Sequence, residues 1–498
     1  MRRILILLVA AMAAAATISC GGTTTAQVPT TAPTTTVPPS TTLDFSAIPV
    51  TAVATNKANR FQDLAGIAAW TDATSGTLSV DDLVGYEPYR GTGAALTYAA
   101  AWVIDQSPQR DEIIEYLFGE DGLHVQLVRL CIGASDFTTA AAGHYTYDDT
   151  VGNVADPDLS EFSIEKDRII VEILQDALEI NPDIVFMAAP WSAPAWMKTN
   201  KSLYGGSLAV AHYGAYAQYL IRYLEAYADA GIDIDYLSVQ NEPYYAPGDY
   251  PGMTWSVETT KTFIRDHLGP ALEMAGRDVR IMIWDHNPVD NAGNLIDFPV
   301  RVLQSAETAA YVGAIGVHCY TGDDRDMADF LDNLRENAPD VEVFMTECTA
   351  STSYTDLEQN MEWSIRRMYV GAYARHAVGT TYWNLALDPL GATHLGGCGN
   401  CTGLVSVMPA SYRTEADGYV TAHFARYVRV GATRISVRSF NSNVLAVGYL
   451  DDAGTISLVV WNDAAARGVT ILWRGRRTTV PMPANALVTV RWTIPETE

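Results

Sequence analysis

The chain has 498 residues, of which 48% are hydrophobic and 18% charged, so it can form two or three folded domains and is not a disordered protein. Its 58 acidic residues outnumber its 32 basic residues and give a net charge of −26. A surface this acidic repels phosphate backbones and anionic lipids. The charge therefore argues against a nucleic-acid partner and favours a neutral ligand.

The N-terminus has the features of an export signal. Met1 and two arginines precede an uncharged apolar run, Ile4–Ala16, which is too short for a membrane span and typical of a signal peptide. Residues 17–20 read Thr-Ile-Ser-Cys and resemble a bacterial lipoprotein signal, so we assign 1–20 as a signal peptide with Cys20 lipidated; a plain secretory leader is the alternative. Residues 21–43 contain 10 Thr and 4 Pro without a charge, which predicts an extended linker. We expect an exported protein, either a cell-surface lipoprotein or secreted, whose membrane contact is limited to that lipid.

Five cysteines remain if Cys20 is lipidated, so at least one thiol is free. Two of them, Cys398 and Cys401, are three positions apart, and in an exported protein we expect a disulfide there; a zinc site that includes His394 is the alternative. The other three lie in or just after apolar runs, where buried reduced cysteines are typical: Cys131, Cys319 and Cys348.

From Val80 onward, strand-like apolar runs alternate with helical segments, such as Tyr213–Ala230 and Glu358–Ala377, or with loops. Nearly all-apolar strands are typical of a parallel sheet that is covered on both faces. The pattern predicts the α/β class, with a (β/α)8 TIM barrel over residues 87–418 and a doubly wound sheet as the alternative. The strand runs begin after Gly91 and continue at Val125–Ile132, Ile184–Ala189, Tyr236–Gln240, Val279–Trp284, Ala314–His318, Val341–Thr346 and Thr380–Leu385.

The character of the chain changes after Gly431, where short alternating runs are separated by turns. This pattern predicts an attached antiparallel β-sandwich over 419–498, to which strands within 44–86 can contribute. The C-terminal runs are Arg434–Val437, Val444–Tyr449, Ile456–Trp461, Val469–Trp473 and Leu487–Trp492.

Two carboxylates follow predicted barrel strands. Glu242 comes directly after the fourth run and Glu347 directly after the seventh, and these strand ends face each other across the mouth of a barrel. Paired carboxyl groups are what glycosidic bond cleavage requires, and each is expected to raise the pKa of the other. Asn241 precedes Glu242 and can bond a sugar 2-hydroxyl. Either glutamate alone fits a helix cap or an ion pair equally well.

Several longer motifs have the order and spacing of one enzyme family. They extend from about Tyr89 to the C-terminus, and on them the chain resembles glycoside hydrolase family 30, in the branch that contains lysosomal glucosylceramidase and its bacterial counterparts. The motifs are Arg129–Phe137, Tyr145–Asp148, Ala189–Asn200, Gln240–Pro243, Val317–Tyr320, Thr346–Glu347, Trp383–Leu387 and Ala422–Ala425.

The resemblance implies a retaining double displacement on a (β/α)8 barrel with an attached β-sandwich. Glu347 is then the nucleophile and Glu242 the acid/base, with carboxyl groups about 5–5.5 Å apart. Arg129 would hold the nucleophile ionised through charge-assisted hydrogen bonds. His318 and Tyr320 would orient Glu347.

Other residues match the family's sugar-binding positions. Asp136 corresponds to the carboxylate that grips the outer sugar hydroxyls, Trp191 and Trp383 to aromatic walls, and Asn400 to a supporting loop residue. The chain departs from the family at Cys319, where relatives carry Trp, and around Tyr98, where the family's aromatic residue has moved and its acid is missing. These departures concern the preferred sugar rather than the chemistry.

The expected activity is a retaining β-glycoside hydrolase acting on a neutral β-glucoside, first as a glucosylceramidase-like β-glucosidase and alternatively as an endo-β-1,6-glucanase. A carbohydrate-binding surface protein that has lost catalysis is the alternative from another class, and intact Glu242 and Glu347 argue against it. Neither a Gly-x-Ser-x-Gly nor a His-Glu-x-x-His motif is present.

We expect no metal or organic cofactor. Candidates for the rim that contacts the leaving group are Tyr244, Tyr245, Tyr250 and Met253.

Overall fold

The computed structural model describes residues 43–353 and 356–495. The predicted signal peptide, Cys20 and nearly all of the predicted 21–43 linker lie outside these residues. Within them, no helix has both the length and the apolar character that crossing a membrane requires.

Short strands open the described part of the chain, after a single 3-10 turn at Phe45–Ala47. All four of these strands pair within one large sheet that also contains the C-terminal strands, so residues 44–86 do contribute to the sandwich. The strands are β1 (Thr51–Thr55), β2 (Gln62–Asp63), β3 (Thr71–Asp72) and β4 (Leu78–Pro88).

Eight parallel strands of the described chain close into a barrel, which confirms the predicted TIM barrel. Most residues of these strands are buried, as expected for a sheet with a packed interior and a helical cover. The strands are β5 (Gly91–Leu96), β6 (Leu127–Ile132), β7 (Val185–Pro190), β8 (Tyr236–Ser238), β9 (Arg280–His286), β10 (Val312–His318), β11 (Glu342–Glu347) and β12 (Ala377–Tyr382).

Helices cover the barrel from outside. The helix predicted at Tyr213–Ala230 is found at Tyr213–Asp229, whereas the one predicted at Glu358–Ala377 is wrong as a single helix, because the backbone leaves the helical conformation at Tyr369. The helices are α1 (Tyr98–Asp105), α2 (Arg110–Phe118), α3 (Arg168–Ile180), α4 (Tyr213–Asp229), α5 (Val257–Phe263), α6 (Gly269–Ala275), α7 (Phe298–Leu303), α8 (Ala306–Ala309), α9 (Asp324–Asn337), α10 (Leu357–Arg367) and α11 (Val370–Tyr373).

A small sheet and one more helix connect the barrel to the sandwich: β13 (Ala386–Leu387), β14 (Val405–Met408), β15 (Ser411–Thr414) and α12 (Ala416–Ala425). The predicted boundary between residues 418 and 419 is wrong, because it cuts α12, a continuous helix that packs against β5 and α10 of the barrel. His423 of α12 in turn bonds Thr55 and Thr489 of the sandwich. This helix is therefore the joint between the two domains.

The C-terminal strands complete the β-sandwich. Within the described residues its strand order is β2-β1-β21-β18-β17-β16-β4-β19-β20-β3, so β4 lies in the middle, antiparallel to β16 and parallel to β19. Strand β20 was not predicted, because its first residues are arginines rather than apolar residues. The strands are β16 (Thr433–Ser439), β17 (Val444–Leu450), β18 (Thr455–Asn462), β19 (Arg467–Trp473), β20 (Arg476–Met482) and β21 (Ala486–Thr493).

Candidate active site

A cavity of about 600 Å³ opens at the carboxyl ends of the barrel strands. Both predicted carboxylates line it, and each enters from the end of its own strand: Glu242 after β8 and Glu347 at the end of β11. The other predicted site residues that line it are Asp136, Trp191, Asn241, Tyr320, Trp383 and Asn400. Arg129 and His318 are not among the lining residues, but Arg129 contacts Glu347 and His318 contacts Glu242.

Glu347 is held by two donors. The Arg129 guanidinium donates to its Oε2 at 2.6 Å and the Tyr320 hydroxyl to its Oε1 at 2.9 Å. Arg129 is 1% exposed, and its second amino group donates to Asn241 at 2.7 Å and to Asp285 at 3.1 Å. The contact between guanidinium and carboxylate is a charge-assisted hydrogen bond, so it fixes the Glu347 side chain strongly.

Glu242 has a different environment. Its Oε1 lies 3.1 Å from Nδ1 of His318 and 3.2 Å from Nδ1 of His286. Burial alone would raise the pKa of the Glu242 carboxyl, but the hydrogen bonds from His286 and His318 outweigh burial and hold that pKa below its ordinary value. The net shift at Glu242 is thus opposite to the rise expected for paired carboxylates, because the two imidazoles dominate its surroundings.

His318 lies closer to Glu242 than to Glu347. Besides Glu242 it contacts Asp285 at 3.2 Å, whereas Glu347 is 4.0 Å away. Burial would lower the pKa of His318, but the charge of Glu347 and the hydrogen bonds to Asp285 and Glu242 raise it to about 9. At neutral pH, His318 is therefore an imidazolium that keeps a proton beside Glu242. Of the two residues expected to orient Glu347, Tyr320 is hydrogen-bonded to it, whereas His318 is 4.0 Å away.

Two tryptophans form one wall of the cavity. The rings of Trp191 and Trp383 stack with centroids 5.5 Å apart, and the Arg129 guanidinium lies 5.0 and 5.8 Å from them. A cation over an indole face is attracted by the ring's quadrupole, so the aromatic wall and the ion-pair network fix each other's position.

Asp136 lines the cavity and is 7% exposed. Burial, followed by the charge of Glu347, raises the pKa of its carboxyl well above the ordinary value. Gly397 has a left-handed φ of 61°, and a Cβ there would come within 2.1 Å of the Asp136 carboxylate. The loop that carries Gly397 can therefore close on Asp136 because that position has no side chain.

The same loop contains Asn400 and a disulfide between Cys398 and Cys401. Since both sulfurs are bonded to each other, they are not available as thiolate ligands, and the alternative zinc site with His394 does not form. The Asn400 amide donates to Ser351 at 2.7 Å and so joins this loop to the segment after β11.

Cys319 and Cys348 form a second disulfide, so the expectation that both are reduced is wrong. Strands β10 and β11 are adjacent and pair His318 with Glu347, which brings the next residues of both strands together with Cα atoms 5.4 Å apart. The bond therefore links Tyr320 and Glu347 through their immediate neighbours. Cys131 is the free cysteine of the described chain, and it is buried as expected.

Two residues of the site escaped the sequence analysis. Asp285 and His286 come directly after the predicted fifth strand run, the position at which a barrel enzyme carries functional residues, and this signal was available. Asp285 is fully buried between Arg129 and His318. Further lining residues that were not predicted are Thr349, Ala350, Ser351, Gln359, Asn360 and Trp363.

A second cleft of about 450 Å³ adjoins the first and shares Glu242 and Tyr320 with it. Of the predicted rim residues, Tyr250 lines the first cavity and Tyr244 and Tyr245 line the second. Met253 is fully buried in the core, so its assignment to the rim is wrong. The cleft is also lined by Trp284, His286, Asn287, Val289, Asp290, Asn291, Ile296 and Thr321.

A barrel with paired carboxylates at its mouth and an attached β-sandwich is the architecture of a glycoside hydrolase. The family model described as the glycosyl hydrolase family 30 TIM-barrel domain matches residues 89–428, and that of the family 30 β-sandwich domain matches residues 431–490. The chain belongs to glycoside hydrolase family 30.

Named relatives carry two kinds of activity. An endo-1,6-beta-D-glucanase of Neurospora crassa is 31% identical over 72% of this chain and 74% of its own. Putative glucosylceramidase 2 of Caenorhabditis elegans is 30% identical over 78% and 77%. Among solved structures, an endo-beta1,6-glucanase superposes with a TM-score of 0.80 at 25% identity, covering 89% of this chain and 99% of its own.

We predict that the two disulfides stabilise the fold unequally. The Cys319–Cys348 bond spans 29 positions and the Cys398–Cys401 bond three. Because a longer closed loop restricts the unfolded chain more, replacing Cys319 and Cys348 together by Ala should lower the free energy of unfolding by about 3–4 kcal/mol, and the matched Cys398/Cys401 change by about 2 kcal/mol. Urea unfolding measures both, and equal losses would contradict the prediction.

We also predict an alkaline loss of stability from His318. Its folded-state pKa of about 9 lies above its ordinary value of 6.5, so its contribution is complete below pH 6.5 and is lost as the pH rises through 9. The free energy of unfolding should fall over this window by at most about 3 kcal/mol. Urea unfolding at several pH values should show this fall in the wild type and not in His318→Gln; an equal fall in both would refute the assignment.

Proposed function

We propose that Glu347 is the nucleophile and Glu242 the acid/base of a retaining β-glycoside hydrolase. The observation that carries the proposal is the contrast between the two carboxyl groups. Glu347 accepts hydrogen bonds from Arg129 and Tyr320, which suits an ionised nucleophile. Glu242 lies 3.1 Å from the protonated His318, which suits a group that gives and takes a proton.

In the first step, an oxygen of Glu347 bonds to the anomeric carbon while the glycosidic bond breaks. Glu242 delivers a proton to the departing oxygen, and the proton comes from the pair that Glu242 forms with His318. In the second step, Glu242 takes a proton from a water that attacks the anomeric carbon, and Glu347 leaves as a carboxylate. Each step inverts the anomeric configuration, so the two steps together retain the β configuration.

The proposed substrate is a β-1,6-linked glucan that is cut within the chain. Since Glu242 must reach the glycosidic oxygen, the leaving group lies on its side, in the second cleft. Polar side chains of Asn287, Asp290 and Asn291 line this cleft beside the rings of Tyr244 and Tyr245, which are each 49% exposed. Convergent polar groups with aromatic faces suit a sugar unit better than an alkyl chain. The Neurospora crassa relative, named for this activity, supports the same proposal.

A glucosylceramide-type glycolipid is the second candidate. It is supported by the Caenorhabditis elegans relative named for that activity. The lining of the second cleft argues against a glycolipid. Met253, which would have extended an apolar rim, is buried in the core instead.

The catalytic roles predict unequal effects of two isosteric variants. Glu347→Gln should abolish turnover of every substrate without unfolding the protein, because it removes the attacking charge. Glu242→Gln should slow glycosides with poor leaving groups by about 10²–10⁴-fold and activated aryl glycosides far less, since these need little acid assistance. Steady-state kinetics on both substrate types measure the difference, and equal slowing would rule out Glu242 as the acid.

The substrate proposal predicts which compounds are cleaved. Full-length protein should convert β-1,6-glucan mainly into short oligosaccharides, and it should leave glucosylceramide in detergent micelles largely intact. Chromatography of the products measures both, with Glu347→Gln as the blank. Release of glucose from glucosylceramide at a higher kcat/KM than from the glucan would favour the second candidate instead.

A further inference from the structure

Three side chains at the acid/base converge on one point. Oε1 of Glu242 lies 3.2 Å from Nδ1 of His286 and 3.1 Å from Nδ1 of His318, and the ligand atoms of these residues lie within 4.8 Å of one another. The lone pairs of a carboxylate oxygen and two unprotonated imidazole nitrogens would repel one another at these distances. Either an N–H proton on each imidazole or one metal cation bound by all three atoms removes that repulsion.

We propose that Glu242, His286 and His318 form a binding site for a divalent transition-metal ion of the Zn²⁺ class, and that the bound ion inhibits hydrolysis by occupying the acid/base carboxylate. The inhibition rests on the proposed role of Glu242, whereas metal binding does not.

The donor set fits this class of ion. Two imidazole nitrogens and one carboxylate oxygen are a usual set for Zn²⁺ in sites that have three protein ligands and an open fourth position. With bonds of about 2.0–2.1 Å in a tetrahedral arrangement, neighbouring donor atoms lie about 3.3 Å apart. The two separations between Glu242 and the imidazoles, 3.1 and 3.2 Å, need only small shifts to match, and the two imidazole nitrogens lie within 4.8 Å of each other. A hard cation such as Mg²⁺ would prefer oxygen ligands.

The surroundings orient one of the imidazoles as a metal ligand. The far nitrogen of His318, Nε2, lies 3.2 Å from the carboxylate of Asp285, which is itself fixed by Arg129 at 3.1 Å. A carboxylate behind a histidine sets the ring's orientation and raises its basicity as a ligand. His318 and Asp285 are both fully buried, so this support does not depend on solvent.

An ion can reach the site from solvent. Glu242 and His286 both line the second cleft, and their side chains are 14% and 13% exposed. The open fourth position would face that cleft and take a water molecule. The same position is where the leaving oxygen must approach Glu242, so a bound ion and a productive substrate exclude each other.

Zinc titration of the full-length protein tests the proposal by two independent readouts. Isothermal calorimetry should show one Zn²⁺ bound per chain, and hydrolysis of β-1,6-glucan should fall with the same midpoint. His286→Ala should weaken Zn²⁺ binding by at least about 10-fold. It should raise the Zn²⁺ concentration that gives half-inhibition by the same factor, with inhibition measured against the variant's own activity without zinc. Glu242→Gln keeps the side-chain shape and should also weaken Zn²⁺ binding. Calorimetry measures this directly, so the result does not depend on whether the variant still hydrolyses substrate.

His394→Ala is the matched control, because His394 lies in the loop of the other predicted zinc site. It should bind Zn²⁺ as the wild type does. Absence of binding by the wild type at millimolar Zn²⁺, or unchanged binding by both His286→Ala and Glu242→Gln, would overturn the site. Full turnover with Zn²⁺ bound would overturn the inhibition and the acid/base role together, and would leave the metal site standing.

Discussion

The buried guanidinium of Arg129 is the interaction on which the catalytic end of the barrel depends. Moving a cation out of water costs several kcal/mol unless partners compensate, and Arg129 has three: Glu347, Asp285 and Asn241. Two of these partners connect Arg129 to Glu242. Asp285 contacts His318, which bonds Glu242, and Asn241 is the residue next to Glu242 in the chain. Loss of this one cation would therefore remove the charged partner that two buried carboxylates, Glu347 and Asp285, have in common.

The backbone around Glu242 is as constrained as the side chains there. Glu242, Trp284 and Asp285 have left-handed φ angles of 49°, 72° and 54°, a conformation that costs non-glycine residues about 1–3 kcal/mol each. The amide of Glu242 donates to the carbonyl of Asp285 at 3.0 Å, so two strained segments support each other. Such strain persists only where surrounding contacts over-determine it, which the ion-pair network does here.

Sequence patterns were sufficient for the barrel, the sandwich and the two carboxylates, because these follow from the strand period and from the rule that barrel sites lie at strand ends. They were insufficient for features that depend on which side chains of different strands come into contact. The Cys319–Cys348 bond depends on the register between β10 and β11, and the partner of His318 on the direction of its ring. Asp285 was missed although its position at a strand end marked it.

The sandwich is assembled from both ends of the chain, and this has a consequence for the order of events during synthesis. β1 pairs with β21, which also pairs with β18, so Thr55 meets Leu487 only when almost the whole polypeptide has been made. Until then β1 presents an open strand edge, which is prone to join other chains. A ribosome that stops before Ala486 would release a product with two such edges, on β1 and β18. Premature termination therefore produces an aggregation-prone chain even when every residue of the catalytic barrel is present.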